Sequence, residues 1–368
     1  MRVPLLDLCA QYQKLKAPID AAVARVLASG RYVMGPELQS FESELAAYLG
    51  TRYVVAVASG TDALLSAAMA LEVGLGTGQD GAGLDTDAEV VTTAYSFFAT
   101  PETAVRLGAR PVFADLAEDS FNVDVNDLLN KCSKKTRLIL PVHMFGRRLA
   151  VEPLVATGIP VIEDSAQTLV PGIGQQAACA TLSFFPTKNL GAAGDGGAVV
   201  TSDAALYEKL QTLRQHGSKP KYIHHLWGGN FRMDPIQAAI LRVKLPHLDA
   251  WQRERRRNAD RYRERLADLP LRLPEDHPEH VYHHFVVRAP RRDELKAFLA
   301  AREIETEVYY PLALHLQPCF ARFGYKPGDC PRAEAASAEA LALPIHPELS
   351  AAQLDFVAES IRLFYRPA

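Results

Sequence analysis

The chain has 368 residues, of which 48% are hydrophobic and 23% charged, so it is long enough to form one large domain and a smaller one. Its formal charge of −3 excludes a global positive field for nucleic acid or an anionic membrane, so we expect small-molecule partners. The five scattered cysteines contain no CxxC pair, which argues against a disulfide scaffold and against a metal site.

The N-terminal residues MRVPLLDLCAQYQ lack a long apolar segment and a small-residue cleavage site, and no later run stays apolar for about 18 residues. We therefore expect a cytoplasmic protein. Seven short β-branched runs then alternate with helical patterns, which predicts an α/β domain around a mainly parallel sheet. These runs begin at Tyr53, Glu89, Arg110, Leu138, Pro160, Thr181 and Gly197.

Polar residues follow the first strand run and precede an apolar-periodic helix, in the order Ser59, Gly60, Thr61, Asp62. The free N–H groups and positive dipole end of such a helix bind anions, which favours a phosphate site. An ordinary capped turn is the alternative, because Ser, Thr and Asp are preferred N-cap residues. Further on, the segment EVGLGTGQDGAGLDTD is rich in Gly and Asp and predicts a surface loop.

Two carboxylates, Glu163 and Asp164, close the fifth run in PVIEDSAQ. Ligands of open α/β sheets bind outside the carboxyl ends of the strands, and a buried carboxylate there needs a cation or strong donors. The protonated pyridine nitrogen of pyridoxal phosphate (PLP) is one such cation. The alternatives are that this carboxylate binds a metal ion or caps a helix.

Lys188 stands in the segment SFFPTKNLGAAGDGG, in a glycine-rich loop between two apolar strands. A catalytic lysine must lose its proton before it attacks an aldehyde, and partial burial beside a phosphate-bearing cofactor is one way to achieve this. An isolated loop lysine is more commonly solvated, but its position favours the functional interpretation. A Rossmann loop is excluded because the spacing is not GxGxxG and a strand follows.

An irregular segment, HLWGGNFRMDPIQAAI, carries Asn230 and Arg232, which suit either phosphate oxygens or loop packing. From Pro235 the apolar spacing predicts one long helix or two abutting helices. Its basic run RERRRNADRYRER, from Arg253, favours a solvated face, with a diphosphate contact as the alternative.

The C-terminal part predicts a strand, a helix opened by Asp293 or a neighbour and a further strand within HVYHHFVVRAPRRDELKAFLAAREIETEVYYP. A last helix is predicted to be capped by Ser350. We therefore expect a large α/β domain with an N-terminal arm over residues 1–245. A linker helix and a small C-terminal α+β domain are expected over residues 246–368.

These motifs, taken in order, resemble the DegT/DnrJ family of nucleotide-sugar aminotransferases, which belongs to the fold type I PLP enzymes. The resemblance is nearly full length, from DLCAQYQKL through SGTDAL, EDSAQ, SFFPTKNLG and GGNFRMDPIQAAIL to LALPIHPELS. It implies a PLP-transferase fold with a mainly parallel seven-stranded sheet flanked by helices. It also implies a homodimer with shared active sites.

The resemblance further implies a role for individual residues. Lys188 would be the Schiff-base lysine and proton shuttle, Asp164 the partner of the pyridinium nitrogen and Gln167 a contact of the ring hydroxyl. The ring would stack on Phe97. The phosphate would be held by Gly60, Thr61, Asp62 and Ser183, with Asn230 reaching in from the neighbouring subunit. Arg232 and His315 match positions near the sugar-nucleotide pocket.

The implied reaction moves an amino group from L-glutamate to a dTDP- or UDP-linked keto sugar, with pyridoxamine phosphate as the intermediate, in lipopolysaccharide or antibiotic sugar biosynthesis. The segment KYIHHLWGGNFRMDPIQAAILRVKL is closer to relatives that aminate C3. However, Phe185 stands where a tyrosine is common among 3-keto-sugar enzymes, and TLVPGIG replaces a His-Gly-Ala-like run. The alternatives are a 4-keto-sugar aminotransferase, a sugar dehydratase, in which histidine replaces the lysine, and a non-catalytic PLP-binding regulator.

Overall fold

The computed structural model describes residues 1–73 and 87–366, in which strands and helices alternate over most of the chain. The strands are β1 (Tyr53–Val57), β2 (Glu89–Thr93), β3 (Arg110–Ala114), β4 (Thr136–Leu140), β5 (Ile162–Asp164), β6 (Cys179–Ser183), β7 (Gly197–Thr201), β8 (Phe285–Arg288) and β9 (Ala340–Leu343). The helices are α1 (Leu8–Ser29), α2 (Pro36–Leu49), α3 (Gly60–Ala70), α4 (Ala99–Arg106), α5 (Val125–Asn130), α6 (Glu152–Val155), α7 (Ala204–Leu213), α8 (Pro235–Lys244), α9 (Leu248–Leu266), α10 (Arg292–Ala301), α11 (Pro331–Glu339) and α12 (Ala351–Tyr365). Short 3₁₀ segments occur at Met144–Gly146, Leu245–His247, Leu314–Leu316 and Pro318–Phe323.

The first seven strands form one sheet in the order β3-β2-β4-β5-β6-β7-β1. Two parallel bridges, Ile139–Val161 and Val142–Asp164, join its three-stranded and four-stranded parts between β4 and β5. Only β7 runs antiparallel to its neighbours β6 and β1. The predicted seven-stranded, mainly parallel sheet is therefore confirmed.

Helices cover both faces of this sheet. On one face, α3, α4 and α7 contribute side chains such as Leu64 and Leu210 to a core with Val55 and Val199 of the strands. On the other face, α2 and α8 pack against the alternate residues of β1, β6 and β7. Because both faces are buried, the strands consist of almost continuous apolar runs, which explains why the sequence locates them closely.

A separate hydrophobic core lies in the C-terminal part, where α9, α10 and α12 pack on the antiparallel pair β8 and β9. Val3, near the N-terminus, also packs into this core. The further strand predicted towards the end of HVYHHFVVRAPRRDELKAFLAAREIETEVYYP is wrong, because this backbone forms only isolated bridges. Ile304 bridges Val3, and Glu307 bridges Ala342, which also pairs with β8.

The helix boundaries agree with the predictions at several points. The segment after Pro235 consists of two abutting helices, α8 and α9, separated by a short 3₁₀ turn. The Ser350 side chain accepts a hydrogen bond from Gln353 N, and the Gln353 side chain accepts one from Ser350 N. The boundary near residue 245 stays a prediction, and most of the predicted Gly/Asp-rich loop lies outside the described residues.

Arg255 contradicts the prediction that the basic run from Arg253 forms a solvated face. Its guanidinium is buried and donates hydrogen bonds to backbone carbonyls, whereas Arg253 and Arg257 are exposed. No helix within residues 1–73 and 87–366 combines the length and the apolarity needed to cross a membrane.

Candidate active site

Asp164 ends β5 at the carboxyl edge of the sheet, and its side chain is buried. The Thr100 hydroxyl donates a hydrogen bond to Asp164 Oδ2 at 2.8 Å, and Ala166 N donates to Oδ1 at 3.1 Å. Burial raises the pKa of the Asp164 carboxyl, while these donors and the charge of Lys188 oppose the shift. The carboxylate therefore has donors but is poorly solvated, so a cationic ligand would stabilise its ionised form.

The neighbouring Glu163 has its own buried donors. Its Oε1 accepts a hydrogen bond from Gly174 N at 3.1 Å, and its Oε2 lies 2.8 Å from His143 Nε2. Because His143 Nδ1 accepts the N–H of Leu149 at 3.0 Å, the proton of the neutral ring is on Nε2 and is donated to Glu163. Both carboxylate oxygens of Glu163 thus have hydrogen-bond partners within the chain. Of the two acids, it is Asp164 that lines the cavity.

Lys188 lies on the loop after β6 and lines the same cavity as Asp164. Its backbone N–H donates to Phe185 O at 2.8 Å, which folds the loop back on itself. Burial lowers the pKa of Lys188 to about 8, although the charge of Asp164 opposes the shift. Near neutral pH a minor fraction of the amine, larger than for an ordinary lysine, is consequently unprotonated and nucleophilic.

The N-terminus of α3 forms a further wall of this cavity. Ser59 caps the helix by accepting the Asp62 N–H at 3.0 Å, and Gly60, Thr61 and Ser183 line the cavity beside it. A Cβ on Gly60 would lie 2.8 Å from Ser183 Cβ, so only glycine allows the helix start to approach β6 this closely. A helix N-terminus with hydroxyl neighbours is suited to bind a phosphate.

Gln167 and Phe97 also line the cavity. Gln167 Oε1 accepts the Phe145 N–H at 2.7 Å, and its Nε2 donates to the Tyr310 hydroxyl at 3.4 Å. Phe97 is 58% exposed, and its ring centroid lies 6.4 Å from that of Tyr310. The exposed ring provides an apolar surface for a planar ligand.

The C-terminal part supplies cavity residues that the sequence reasoning missed: His283, His284, Tyr309 and Tyr310. Burial and the nearby positive charge of Lys188 hold the pKa of both histidines well below its usual range, so they are neutral at physiological pH. The sequence feature that could have identified them is the concentration of His and Tyr in HVYHHF, at the start of β8, and in VYYP, after α10.

Four residues with predicted ligand contacts do not line the cavity of this chain: Asp62, Asn230, Arg232 and His315. Asn230 is exposed and forms a bridge with Gln215, and Arg232 forms one with Val57. His315 is buried, with Nε2 3.1 Å from Glu334 Oε1. The other seven lie together: Gly60, Thr61, Phe97, Asp164, Gln167, Ser183 and Lys188.

This arrangement fits PLP. The cavity measures about 440 Å³, a usual size for a site that holds a small organic ligand. Its walls combine a buried carboxylate suited to a protonated ring nitrogen, an amine able to attack an aldehyde and a helix N-terminus suited to a phosphate. The ring nitrogen, the aldehyde and the phosphate of PLP thus each have a complementary group.

Comparisons with known proteins agree with this fit. Residues 13–362 match the DegT/DnrJ/EryC1/StrS aminotransferase family. The chain is 41% identical to the dTDP-3-amino-3,4,6-trideoxy-alpha-D-glucose transaminase of Streptomyces venezuelae, over 98% of this chain and 96% of the relative. It is 44% identical to a protein of Geobacillus stearothermophilus named Pleiotropic regulatory protein, over 100% of this chain and 99% of the relative.

The structure also resembles solved structures of relatives. It superposes on the crystal structure of S. venezuelae DesV in complex with a ketimine intermediate with a TM-score of 0.93 and 40% sequence identity. The superposition covers 100% of both chains. The chain therefore belongs to the DegT/DnrJ/EryC1/StrS aminotransferase family, and it is a nucleotide-sugar aminotransferase with pyridoxal phosphate as the cofactor.

Proposed function

We propose that this aminotransferase moves the amino group of L-glutamate to a dTDP- or UDP-linked 3-keto sugar. The observation that carries the proposal is that Lys188 and Asp164 line one cavity. The S. venezuelae relative is named for a dTDP sugar with its amine at C3, which supports the choice of nucleotide-linked substrate and of carbon. The fold alone does not select the sugar.

Lys188 is the proposed nucleophile and proton carrier. With a pKa near 8, its amine is partly neutral at physiological pH, so it can attack an aldehyde and can also take up and return a proton. When bound, PLP supplies an electron sink for the carbon that loses this proton. General acid–base catalysis by a correctly positioned side chain increases the rate roughly 10²- to 10⁴-fold.

The other cavity residues orient the cofactor in this proposal. Asp164 would keep the ring nitrogen protonated, Gln167 would contact the ring hydroxyl and Phe97 would stack on the ring. The start of α3 would hold the phosphate. The supporting observations are the buried acid with its two donors, the fixed amide of Gln167 and the exposed phenyl ring.

We also propose a cytoplasmic homodimer. Asn230 is exposed and lies outside the cavity of its own chain, which agrees with a role as a phosphate ligand in a neighbouring subunit. Asp62 would contribute to the same phosphate site, and Arg232 would lie near the sugar-nucleotide pocket. His315, which is buried against Glu334, would need to release that partner before it could contact a sugar nucleotide.

A Lys188→Ala variant tests the proposal. Transamination from L-glutamate to a panel of dTDP- and UDP-linked 3-keto and 4-keto sugars should disappear, while pyridoxamine phosphate still binds. Lys134→Ala removes an exposed lysine of the same chain and should leave turnover unchanged. Turnover by the Lys188 variant would contradict the assignment, and amination of 4-keto sugars alone would move the proposed carbon from C3 to C4.

A regulatory role is the second candidate, because a relative at 44% identity is named Pleiotropic regulatory protein. A regulator on this scaffold would bind the cofactor without turning over any keto sugar in the panel. A cofactor-bound wild-type protein that fails to react with L-glutamate would favour this candidate.

A further inference from the structure

The backbone of Lys188 is held by a hydrogen bond on each side of this residue. Before it, the Lys188 N–H donates to Phe185 O at 2.8 Å. After it, the side chain of Asn189 is buried, at 6% exposure, and its Nδ2 donates to Val281 O at 3.1 Å. Because Asn189 directly follows Lys188, this contact fixes the peptide between them against a segment 92 residues later in the chain.

Val281 belongs to the C-terminal segment that brings His283 to the cavity. The Val281 N–H donates to Gly146 O at 2.9 Å, in the turn after β4. A Cβ added to Gly146 would lie 2.9 Å from His283 N, so the two backbones are in close contact. The C-terminal segment is thus docked on the large sheet, and Asn189 joins it to the loop of Lys188.

The amide of Asn189 is only partly satisfied. Its Oδ1 is buried and has no hydrogen-bond partner among the described residues. A buried acceptor without a donor costs folding free energy that a single neutral hydrogen bond does not clearly recover. An apolar side chain of similar shape would therefore serve packing about as well. The amide at this position consequently favours a role in placing the two segments over a role in stability.

The base of the loop is closed by a separate contact. Ala192 N donates to Phe184 O at 2.8 Å, across the two ends of the loop. This hydrogen bond does not involve Asn189 and should persist when that side chain is replaced. Loss of the Asn189 contact is therefore expected to loosen the backbone beside Lys188 without opening the whole loop.

We propose that Asn189 is a positioning residue for Lys188: its hydrogen bond to Val281 O ties the loop to the C-terminal segment that lines the same cavity. This inference rests on the proposed function of Lys188. Asn189 is not among the residues that line the cavity, so it acts through the lysine beside it. The amine must keep its direction, because a displacement of about 1 Å at a reacting group can cost about 100-fold in rate.

Asn189→Leu keeps the approximate shape of the side chain and removes the donor. We expect the rate constant of the L-glutamate half-reaction to fall about 10- to 100-fold, with its half-saturation concentration changed less than about 2-fold. The rate at which the apo-protein captures PLP on Lys188, followed by visible absorbance, should fall in parallel. If Asn189→Leu does not fold, Asn189→Ala takes its place.

Asn258→Leu is the matched control. Asn258 is also buried, at 1% exposure, and its Nδ2 donates to a distant backbone carbonyl, His346 O, at 3.0 Å. This contact lies in the C-terminal part and involves neither the Lys188 loop nor a residue that lines the cavity. The control should lower the unfolding midpoint at least as much as Asn189→Leu and keep both rates.

Asn189→Asp tests the hydrogen bond itself. The protonated Asp side chain has the shape of Asn and can donate to Val281 O, whereas the carboxylate repels that oxygen. The ratio of the variant rate to the wild-type rate should therefore rise as the pH falls, for the half-reaction and for PLP capture. For Asn189→Leu the same ratio should stay constant, because that side chain neither titrates nor donates.

The outcomes separate the two proposals. A wild-type protein that binds PLP but does not react with L-glutamate defeats the proposed function and leaves the capture rate as the test of Asn189. An active wild type with Asn189→Leu at wild-type rates defeats the positioning role, even if Asn189→Asp is slow, since the introduced charge alone would then act on Lys188. Equal slowing by Asn258→Leu also defeats it, because both amides would then act through stability.

Discussion

Asp164→Asn should stabilise the apo-protein while it removes activity. Burial raises the pKa of Asp164 more than its donors and Lys188 lower it, so the folded chain binds this proton more tightly than the unfolded chain. Stability contributed by such a group is present below the unfolded pKa and lost as pH rises through the folded one. At neutral pH, above the ordinary pKa of an Asp carboxyl, this group therefore costs folding free energy, and the neutral amide removes that cost.

The expected loss of activity follows from the same burial. Leaving a buried charge without its partner typically costs about 3–5 kcal/mol, so an unpaired ring nitrogen should slow the half-reaction by about 100- to 5,000-fold at 1.36 kcal/mol per decade. Thr100 and Ala166 keep a partner, because the amide can both accept and donate. The pKa of Lys188 should also fall below about 8, since the charge of Asp164 raises it.

Three quantities are measured. They are the thermal unfolding midpoint of the apo-protein at pH 7, the single-turnover rate with L-glutamate, and the pH at which acylation of the Lys188 amine reaches half its maximal rate, which reports the pKa of that amine. Asp355→Asn is the matched control, because Arg261 and Arg265 lower the pKa of the Asp355 carboxyl and its charge stabilises the fold at neutral pH. That variant should lose stability and keep activity. A marked drop in the unfolding midpoint of Asp164→Asn would refute the reasoning.

Two further substitutions test the local geometry. Gly60→Ala places a Cβ 2.8 Å from Ser183 Cβ, so the start of α3 must shift; equilibrium titration should show PLP binding weakened by about 10-fold or more, and unchanged binding would argue against a phosphate site there. Ser350→Ala removes the N-cap of α12 and should cost about 1 kcal/mol in chemical denaturation, with cofactor binding unaffected. A neutral result would show that the cap contributes little.

Local patterns sufficed for the large sheet because its strands are buried on both faces. Continuous apolar runs located the first residue of β1, β2, β3 and β7, and the carboxyl-edge rule placed Asp164 at the cavity. The further strand predicted after α10 is wrong, because that backbone forms only isolated bridges, of Ile304 with Val3 and of Glu307 with Ala342 of β9. Both partners are distant in the chain, so a local apolar pattern carries no information about how far such pairing extends.

The site was predictable only where one segment carries its own chemical signature. Lys188 and Asp164 have such signatures, whereas His283 and Tyr310 reach the cavity through packing between distant parts of the chain. Arg255 shows the same limit: the charge pattern of α9 favours solvation, and only the tertiary contact with Tyr282 and His283 explains why this guanidinium is buried. Local periodicity carries no information about such contacts.

The most direct test of the account is to identify the lysine that binds PLP. The purified protein is incubated with PLP, the lysine-bound cofactor is reduced with borohydride, and the modified peptide is identified by mass spectrometry. We predict a single stoichiometric modification at Lys188. Modification at another lysine, or none despite saturating PLP, would contradict the claim that Lys188 and Asp164 face one cofactor in a shared cavity.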